Sequence, residues 1–421
     1  MTLTRRDLIR GGLAAAACAS VPWSLERARA DATAAHLLIV LNYGGWDTTY
    51  SLDPKPGLPR VDAPEGELRR FGDLPVWTHE SRPSVDRFFE RWGELTALVH
   101  GVQVRSFVHS DCIKRVMTGS PSETTPDMGA IAAFERGRDL PVPYLALGAQ
   151  ARSGQLASIT GRTGTTNQLI ALVDPEAAYA TPASAYLPDP GLQPTEAESA
   201  LVGAYLAAGA ARLRATRGQR GYNAARVEDF ERSLQRASRL AGFASEGTDL
   251  GAREYTLDIA VQIPLAVRAL REGLSHTALL QSGFDWDTHD GNAQQSAYHE
   301  GLFAALDGLC GELESNGLLD STLVLVLSEM GRTPMLNDQM GKDHWPVTSC
   351  MLLGSGVRGG RVLGGTSDEL GALSMDLATG ELDPGGKQLQ ASNLVAGVLE
   401  SLGVDPEPYL PATEPFRGFR A

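Results

Sequence analysis

Three short segments of this chain are almost entirely apolar, and they limit the folds it can adopt. They read HLLIVL at 36–41, HTALLQS at 276–282 and STLVLVL at 321–327. An unbroken apolar run of this length is typical of a parallel strand that is covered on both faces. ELTALVHGVQV, VPYLALG and SCMLLGSG have the composition of further short strands. The chain therefore needs helices on both faces of its sheet.

Helical patterns supply those covering layers. Apolar residues recur at helical spacing in a middle segment, at about 196–273, and again in AYHEGLFAALDGLCGELESNG and SNLVAGVLESLG. Strands alternating with helices indicate the α/β class. We predict a mostly parallel sheet sandwiched by helices, with a helical insertion at about 196–273. A chain of 421 residues is long enough to bury such a core.

Acidic and imidazole side chains follow the strands where each one ends. In open parallel sheets, ligands bind outside the carboxyl ends of the strands. We therefore expect one metal site, built from the following residues: Asp47, Asp285, Asp287, His289, Glu329, Asp343 and His344. Carboxylates and imidazoles without thiols suit zinc or manganese, as one or two ions, while oxygen-rich shells suit calcium or magnesium.

Each of these residues also has a purely structural interpretation, which stays open. Asp47 follows two glycines and is a natural turn or N-cap residue. Asp-rich DWDTHDGN is typical of a solvated turn. Glu329 can pair with Arg332 at the surface. Arg332 can instead clamp an anionic substrate oxygen by two parallel hydrogen bonds.

The amino terminus predicts export. TRRDLIRGG contains paired arginines, Arg5 and Arg6, before a weakly apolar run, and Ala28-Arg29-Ala30 has the pattern of a cleavage site. Residues 1–30 are therefore predicted to be a twin-arginine signal peptide, read by the twin-arginine translocase, and residues 31–421 the mature domain. The mature protein would be periplasmic or extracellular. Cys18 is an alternative lipid-attachment site.

Charge and composition exclude several classes of function. A formal net charge of −14 disfavours nucleic acid as a partner, because phosphate binding needs a basic face. No later segment approaches the ~20 apolar residues of a membrane span. Three widely spaced cysteines in the mature chain support neither a disulfide framework nor a zinc–thiolate site.

Longer motifs resemble one family. SEMGRTPMLNDQMGKDHWP (328–346), WDTHDGN (286–292) and NYGGWDTTYSLDP (42–54) are similar to the conserved blocks of exported bacterial proteins grouped as domain of unknown function 1501. That family is placed in the alkaline phosphatase and sulfatase superfamily. The resemblance implies an alkaline phosphatase-like fold with a dinuclear metal site at the strand ends.

The resemblance also assigns roles to individual residues. Asp47 resembles the first-strand aspartate ligand, and His289 with either Asp285 or Asp287 resembles an aspartate–histidine pair. Glu329 stands at the aspartate of a second pair, but Met330 replaces its histidine. The loop residues Asp343 and His344 are the candidates to restore an imidazole.

A nucleophile in this superfamily begins the helix after the second strand. Ser110 and Cys112 lie there in VHSDCIKRVMTGSP, with His109 and Asp111 beside them as further candidate ligands. Ser110 can equally be a helix cap. The resemblance implies a metal-dependent hydrolase that acts on a small phosphate or sulfate ester. The alternative is an exported binding or scaffold protein that kept the fold without catalysis, as Met330 and the unassigned nucleophile suggest.

Overall fold

The structure is a computed structural model that describes residues 34–162, 195–244 and 258–420. The predicted signal peptide, residues 1–30, lies outside these ranges, as does part of the predicted helical insertion. Within the described ranges, no helix combines the length and apolar character needed to cross a membrane.

Fourteen strands occur in the described residues. In chain order they are β1 (His36–Leu41), β2 (Glu67–Phe71), β3 (Leu74–Thr78), β4 (Thr96–Gln103), β5 (Tyr144–Ala146), β6 (Thr160–Arg162), β7 (Thr277–Gln281), β8 (Thr322–Leu327), β9 (Gly331–Arg332), β10 (His344–Trp345), β11 (Val347–Gly354), β12 (Arg361–Gly364), β13 (Ser374–Met375) and β14 (Lys387–Gln388). Eight of them form the central sheet, in the order β12-β4-β11-β8-β1-β7-β5-β6. The others form three two-stranded ribbons.

Most strands of the central sheet run in one direction. β1 is parallel to β7 and β8, β5 is parallel to β6 and β7, and β12 is parallel to β4. β11 alone runs the other way, antiparallel to both β4 and β8. The mostly parallel sheet confirms the predicted α/β class. The reversed direction of β11 was not foreseen, and it matters for the site.

Eight α-helices occur in the described residues. They are α1 (Pro83–Trp92), α2 (His109–Thr118), α3 (Met128–Gly137), α4 (Glu196–Thr216), α5 (Gly221–Ala244), α6 (Ile259–Arg271), α7 (Gln295–Ser315) and α8 (Ala391–Ser401). The helices predicted in the middle segment are present as α4, α5 and α6. α4 begins with a capping box, in which Thr195 and Glu198 bond each other's backbone N–H groups.

The hydrophobic core has two layers, one on each face of the sheet. β1 shows the principle, because Leu37, Ile39 and Leu41 enter one cluster while Leu38 and Val40 enter the other. Residues of α2, α3 and α8 complete the first layer. Residues of α1, α6 and α7 complete the second. Burial of both faces explains why the strands are continuously apolar.

Candidate metal centre at the carboxyl edge of the sheet

The carboxyl ends of β1, β4, β7 and β8 meet at one edge of the sheet. Because β11 is antiparallel, its amino end lies at that same edge. The segment that precedes it, β10, pairs with β9 as a short ribbon, in which His344 faces Arg332. His344, which precedes a strand, therefore lies beside residues that follow strands. This topology brings His344 to the site.

Three histidines at this edge share the same hydrogen-bonding arrangement. His109 Nδ1 lies 2.7 Å from Glu329 Oε1, His289 Nδ1 lies 2.8 Å from Asp343 Oδ1, and His344 Nδ1 lies 2.6 Å from the Phe107 carbonyl oxygen. Each partner is an oxygen acceptor, so each Nδ1 carries the proton. In a neutral imidazole, Nε2 then holds a lone pair. Metal-binding histidines typically have this arrangement.

The three Nε2 atoms converge on the Asp287 carboxylate. Nε2 of His289 and of His344 lie 3.1 and 3.2 Å from Asp287 Oδ1 and 2.9 Å from each other, while His109 Nε2 lies 3.2 Å from Oδ2. Ligand atoms around a tetrahedral zinc ion with bonds of 2.0–2.1 Å are ~3.3 Å apart. The ligand atoms of His109, Asp287 and His344 all lie within 4.8 Å of one another. These donor atoms therefore fit a single cation.

Most of the polar atoms that meet at Asp287 are hydrogen-bond acceptors, and few donors lie among them. His109 Nε2 is buried and makes no well-aligned hydrogen bond within the described residues. Asp287 receives an N–H from Arg332 at 2.5 Å. Partial burial opposes ionisation of Asp287, but Arg332 and His109 outweigh it and lower its pKa to about 2. Lone pairs that face an ionised carboxylate require a proton or a metal ion between them.

Glu329 supports the centre by holding His109. Its carboxylate is completely buried, and the Gly44 backbone N–H donates to Oε1 and Oε2 at 2.9 and 3.1 Å. The hydrogen bond from His109 to Glu329 raises the pKa of His109, while burial opposes that shift. Gly44 has φ +126°, and a Cβ there would lie 2.7 Å from Asp287 N. Only glycine lets the loop after β1 reach both Asp287 and Glu329.

Arg332 uses its hydrogen-bond donors on other residues of the protein. Its side chain is fully buried, with Nε donating to the Gly45 carbonyl at 2.8 Å and Nη1 to the Lys342 carbonyl at 2.9 Å. Nη2 donates to the Gly44 carbonyl and to Asp287. Its carboxylate partner is thus Asp287, whereas Glu329 pairs with His109. In this state Arg332 offers little to a substrate.

Asp47 is not part of the group of side chains that meet at Asp287. Its carboxylate is buried and forms an ion pair with the buried Lys342, at 2.7 Å. Burial opposes ionisation of Asp47, but the charge and hydrogen bond of Lys342 outweigh it and lower the pKa of Asp47. Behind it, His299 Nε2 donates to the Asp47 carbonyl at 3.1 Å.

The remaining predicted residues lie at different distances from the centre. Asp343 contacts it only through His289, and its side chain is 57% exposed. Asp285 is exposed and is not among the clustered ligands of the described residues. Ser110 lies exposed in the first turn of α2, directly after His109. Cys112 is fully buried, and burial raises the pKa of its thiol to about 11.

Two neighbours of this centre, Tyr43 and Arg152, were not predicted from the sequence. The Tyr43 ring lies 5.3 Å from the His109 ring, tilted by 46°, and burial with the charges of Glu329 and Asp287 raises the pKa of Tyr43. Arg152 Nη2 donates to the Ser110 carbonyl at 3.2 Å. The signal for Tyr43 was its place in the NYGGWD block, immediately after β1. Arg152 had no local signal.

Comparisons with known proteins come from sequence and from structure. A family model described as "Protein of unknown function (DUF1501)" matches residues 34–415. No curated protein sequence matches the chain significantly.

Several solved structures are similar at very low identity. The lipoteichoic acid synthase LtaP from Listeria monocytogenes is 10% identical with a TM-score of 0.40, over 93% of this chain and 78% of that one. A sulfatase from Pseudoalteromonas sp. is 12% identical with a TM-score of 0.38, over 95% and 74%. A phosphonate monoester hydrolase from Silicibacter pomeroyi is 10% identical with a TM-score of 0.35, over 91% and 77%. Similarity at this level says nothing about activity. The family match, by contrast, spans most of the sequence, and the protein belongs to the DUF1501 family, as its motifs predicted.

Proposed function

We propose that this protein is an exported, metal-dependent hydrolase of phosphate or sulfate esters. One observation carries the proposal: three histidines, each held at Nδ1 by an oxygen, direct Nε2 at one carboxylate, Asp287. Such preorganised lone pairs are costly to assemble unless a cation neutralises them. They lie at the carboxyl edge of a parallel sheet, where ligands of such folds bind.

The donor set supports zinc or manganese. Imidazole nitrogen with a carboxylate suits these ions, whereas calcium and magnesium prefer shells built of oxygen. His109, His344 and Asp287 would hold the ion, with His289 beside them. When bound, the ion would stabilise negative charge on the phosphoryl or sulfuryl oxygens of the ester.

Arg152 is the residue that would recognise the anionic end of the substrate. Its side chain is 30% exposed, and its Nε has no hydrogen-bond partner within the described residues. The Arg152 backbone is fixed, because its N–H donates to the buried Asp127 at 2.6 Å and its carbonyl accepts from the Asp127 N–H at 2.8 Å. Its Nη2 donates to the Ser110 carbonyl and its Nη1 lies 3.7 Å from Glu123, so this rigidly placed guanidinium beside α2 would attract an anion mainly by its charge.

Ser110 is the side chain that would act as nucleophile. It lies at the exposed amino end of α2, next to His109, where the helix dipole favours negative charge. Cys112 is a poorer candidate, because a buried thiol with a raised pKa stays protonated at neutral pH. Tyr43, whose raised pKa keeps its hydroxyl protonated, can donate a hydrogen bond to a leaving oxygen, but the same shift makes it a weak general acid.

Export by the twin-arginine translocase is part of the same proposal. It rests on TRRDLIRGG and on the cleavage pattern that ends at Ala30. This route carries folded proteins, so a metal can be inserted before the chain leaves the cytoplasm. The mature protein would then act in the periplasm or outside the cell.

A binding protein without catalysis is the second candidate. Specific contacts favour it: Arg332 is saturated by protein carbonyls, and Asp47 is neutralised by Lys342. Met330, which stands where the superfamily has the histidine of the second aspartate–histidine pair, is a buried core residue. A protein with these features could bind a small anion through a metal and release it unchanged.

Metal content of the folded chain beginning at Asp31 is the deciding measurement. Elemental mass spectrometry should find about one transition-metal ion per chain in the native protein and none in a variant with His289→Ala and His344→Ala. A variant with His79→Ala, in a loop away from the centre, is the matched control. A folded protein that takes up no metal even after reconstitution would refute the proposal.

Turnover separates the enzyme from the binding protein. A hydrolase should cleave generic aryl phosphates or aryl sulfates, lose that activity with a chelator and regain it with zinc or manganese. Ser110→Ala should abolish turnover while leaving the metal content unchanged. Stoichiometric metal without turnover of either ester would favour the binding protein.

A further inference from the structure

We propose that Lys342 is a built-in cation that occupies Asp47 permanently, so that this chain holds one metal ion and not two. The inference rests on the proposed function only for the ion at His109, Asp287 and His344. Its own basis is the buried ion pair between Lys342 Nζ and Asp47 Oδ2, which are 2.7 Å apart. Both side chains have no exposed surface.

The Asp47 carboxylate has no acceptor position left for a metal. Oδ2 accepts from Lys342 Nζ and from Asn292 Nδ2, at 2.7 and 2.9 Å. Oδ1 accepts from the backbone N–H and the hydroxyl of Thr49, at 3.1 and 2.7 Å. A carboxylate has about four lone-pair positions. All four are used, so a metal could bind Asp47 only by displacing these donors.

The backbone that carries the Lys342 ammonium group is also fixed. The Lys342 backbone N–H donates to the Thr288 carbonyl at 3.0 Å, and its carbonyl accepts from Arg332 Nη1 at 2.9 Å. The preceding residue, Gly341, lies so close to His289 that a Cβ would be 2.0 Å from the His289 carbonyl oxygen. The loop therefore cannot move Lys342 away from Asp47 without disturbing the metal centre.

Charge balance at the edge of the sheet agrees with a single ion. The buried and half-buried side chains comprise three carboxylates and two cationic groups: Asp47, Asp287 and Glu329, with Lys342 and Arg332. With neutral histidines their charges sum to −1. One divalent ion changes this sum to +1, whereas two would change it to +3. Uncompensated charge in a buried site is strongly unfavourable.

Metal stoichiometry tests the inference directly. We expect one equivalent in the native protein and one in the double variant Asp47→Leu, Lys342→Met, which removes the pair without leaving a buried charge. Two equivalents in the native protein, falling to one in the double variant, would overturn it. No metal in either protein would refute the proposed function. Chemical rescue of a Lys342 variant by a small ammonium compound would still decide the role of Lys342.

Chemical rescue tests the charge independently of the metal. Lys342→Ala leaves Asp47 without a cation, and we expect Tm to fall by about 5 to 10 °C. n-Propylammonium should restore part of this loss, whereas n-propanol of the same size should not. Lys387→Ala, at a lysine that is 70% exposed, is the matched control. Equal rescue by both compounds, or a native-like Tm without either, would overturn the inference.

If Lys342→Ala does not fold, a second comparison replaces the rescue. The double variant Asp47→Leu, Lys342→Met should fold while Lys342→Met alone does not, because only the single variant buries an unpaired carboxylate. Identical behaviour of the single and double variants would mean that the Lys342 charge is not required.

Discussion

Replacing Glu329 with glutamine tests whether His109 is a metal ligand. Glu329 is buried, and its carboxylate accepts from the Gly44 N–H and from His109 Nδ1. An amide has the same shape but one acceptor oxygen. Both donors reach the same oxygen, Oε1, so an amide with its oxygen in that position keeps both bonds and turns its NH₂ group toward Ser328 Oγ. In the reverse orientation the NH₂ group meets His109 Nδ1–H and the Gly44 N–H, which sets donors against each other.

The cost can be estimated from this geometry. A carboxylate behind a metal-binding imidazole fixes its tautomer and increases its basicity, and its loss lowers metal affinity by about 10- to 100-fold. This corresponds to about 1.4 to 2.7 kcal/mol. If the amide turns its NH₂ group to His109, the proton moves to Nε2 and the lone pair is lost from the centre. The orientation with the amide oxygen at the Oε1 position avoids this loss and removes only the negative charge, so we expect the lower end of this range.

Two assays measure the effect. Competition with a chelating indicator gives the metal Kd of the native protein and of Glu329→Gln. Urea unfolding with and without metal gives the stabilisation by the ion, which should fall by the same free energy. Glu90→Gln, at a side chain that is 56% exposed, should leave both quantities unchanged. A Kd for Glu329→Gln within twofold of the native value would remove His109 from the ligand set.

Three further predictions concern other parts of the structure. Burial and the charges of His36 and Arg136 lower the pKa of His276 to about 4. Since the unfolded histidine titrates near 6.5, the free energy of unfolding should fall by up to about 3 kcal/mol between pH 7 and pH 4, and His276→Gln should remove that part of the fall in urea unfolding. Arg152→Ala should raise KM for an anionic aryl ester roughly tenfold with unchanged metal content, if Arg152 binds the anion. Gly341→Ala forces a Cβ against the His289 carbonyl, so metal titration should show at least tenfold weaker binding and thermal unfolding a lower Tm.

The strands could be predicted from the sequence because burial acts on them locally. Leu37 to Leu41 are all buried, and a strand covered on both faces must be apolar at every position. The direction of β11 could not be predicted in the same way. Its residues VTSCMLLG are buried almost as completely as those of β8, and burial carries no information about direction. The direction of a strand depends on the connection that leads into it from the preceding strand.

The site was predictable in its residue types and less so in its pairings. Placing carboxylates and imidazoles at strand ends brought Asp287, His289, Glu329 and His344 to one edge. Which donor meets which acceptor depends on distances between segments far apart in the chain. Lys342 is the clearest case, since it is 295 residues from Asp47 and gives no local signal of burial. A lysine in a polar loop is ordinarily exposed.

The two candidate functions differ in how many protein ligands the ion would have. A structural metal site is closed by four protein ligands, whereas a catalytic site has three and leaves one position open. His109 and His344 are about one-fifth exposed, but the side chain of His289 is 44% exposed and its support, Asp343, is 57% exposed. His289 is therefore the member of the centre that solvent reaches most easily. If its Nε2 binds the ion, the shell is complete and the centre binds without catalysis. If its Nε2 instead hydrogen-bonds a ligand on the ion, the fourth position belongs to the substrate and the same residues support hydrolysis.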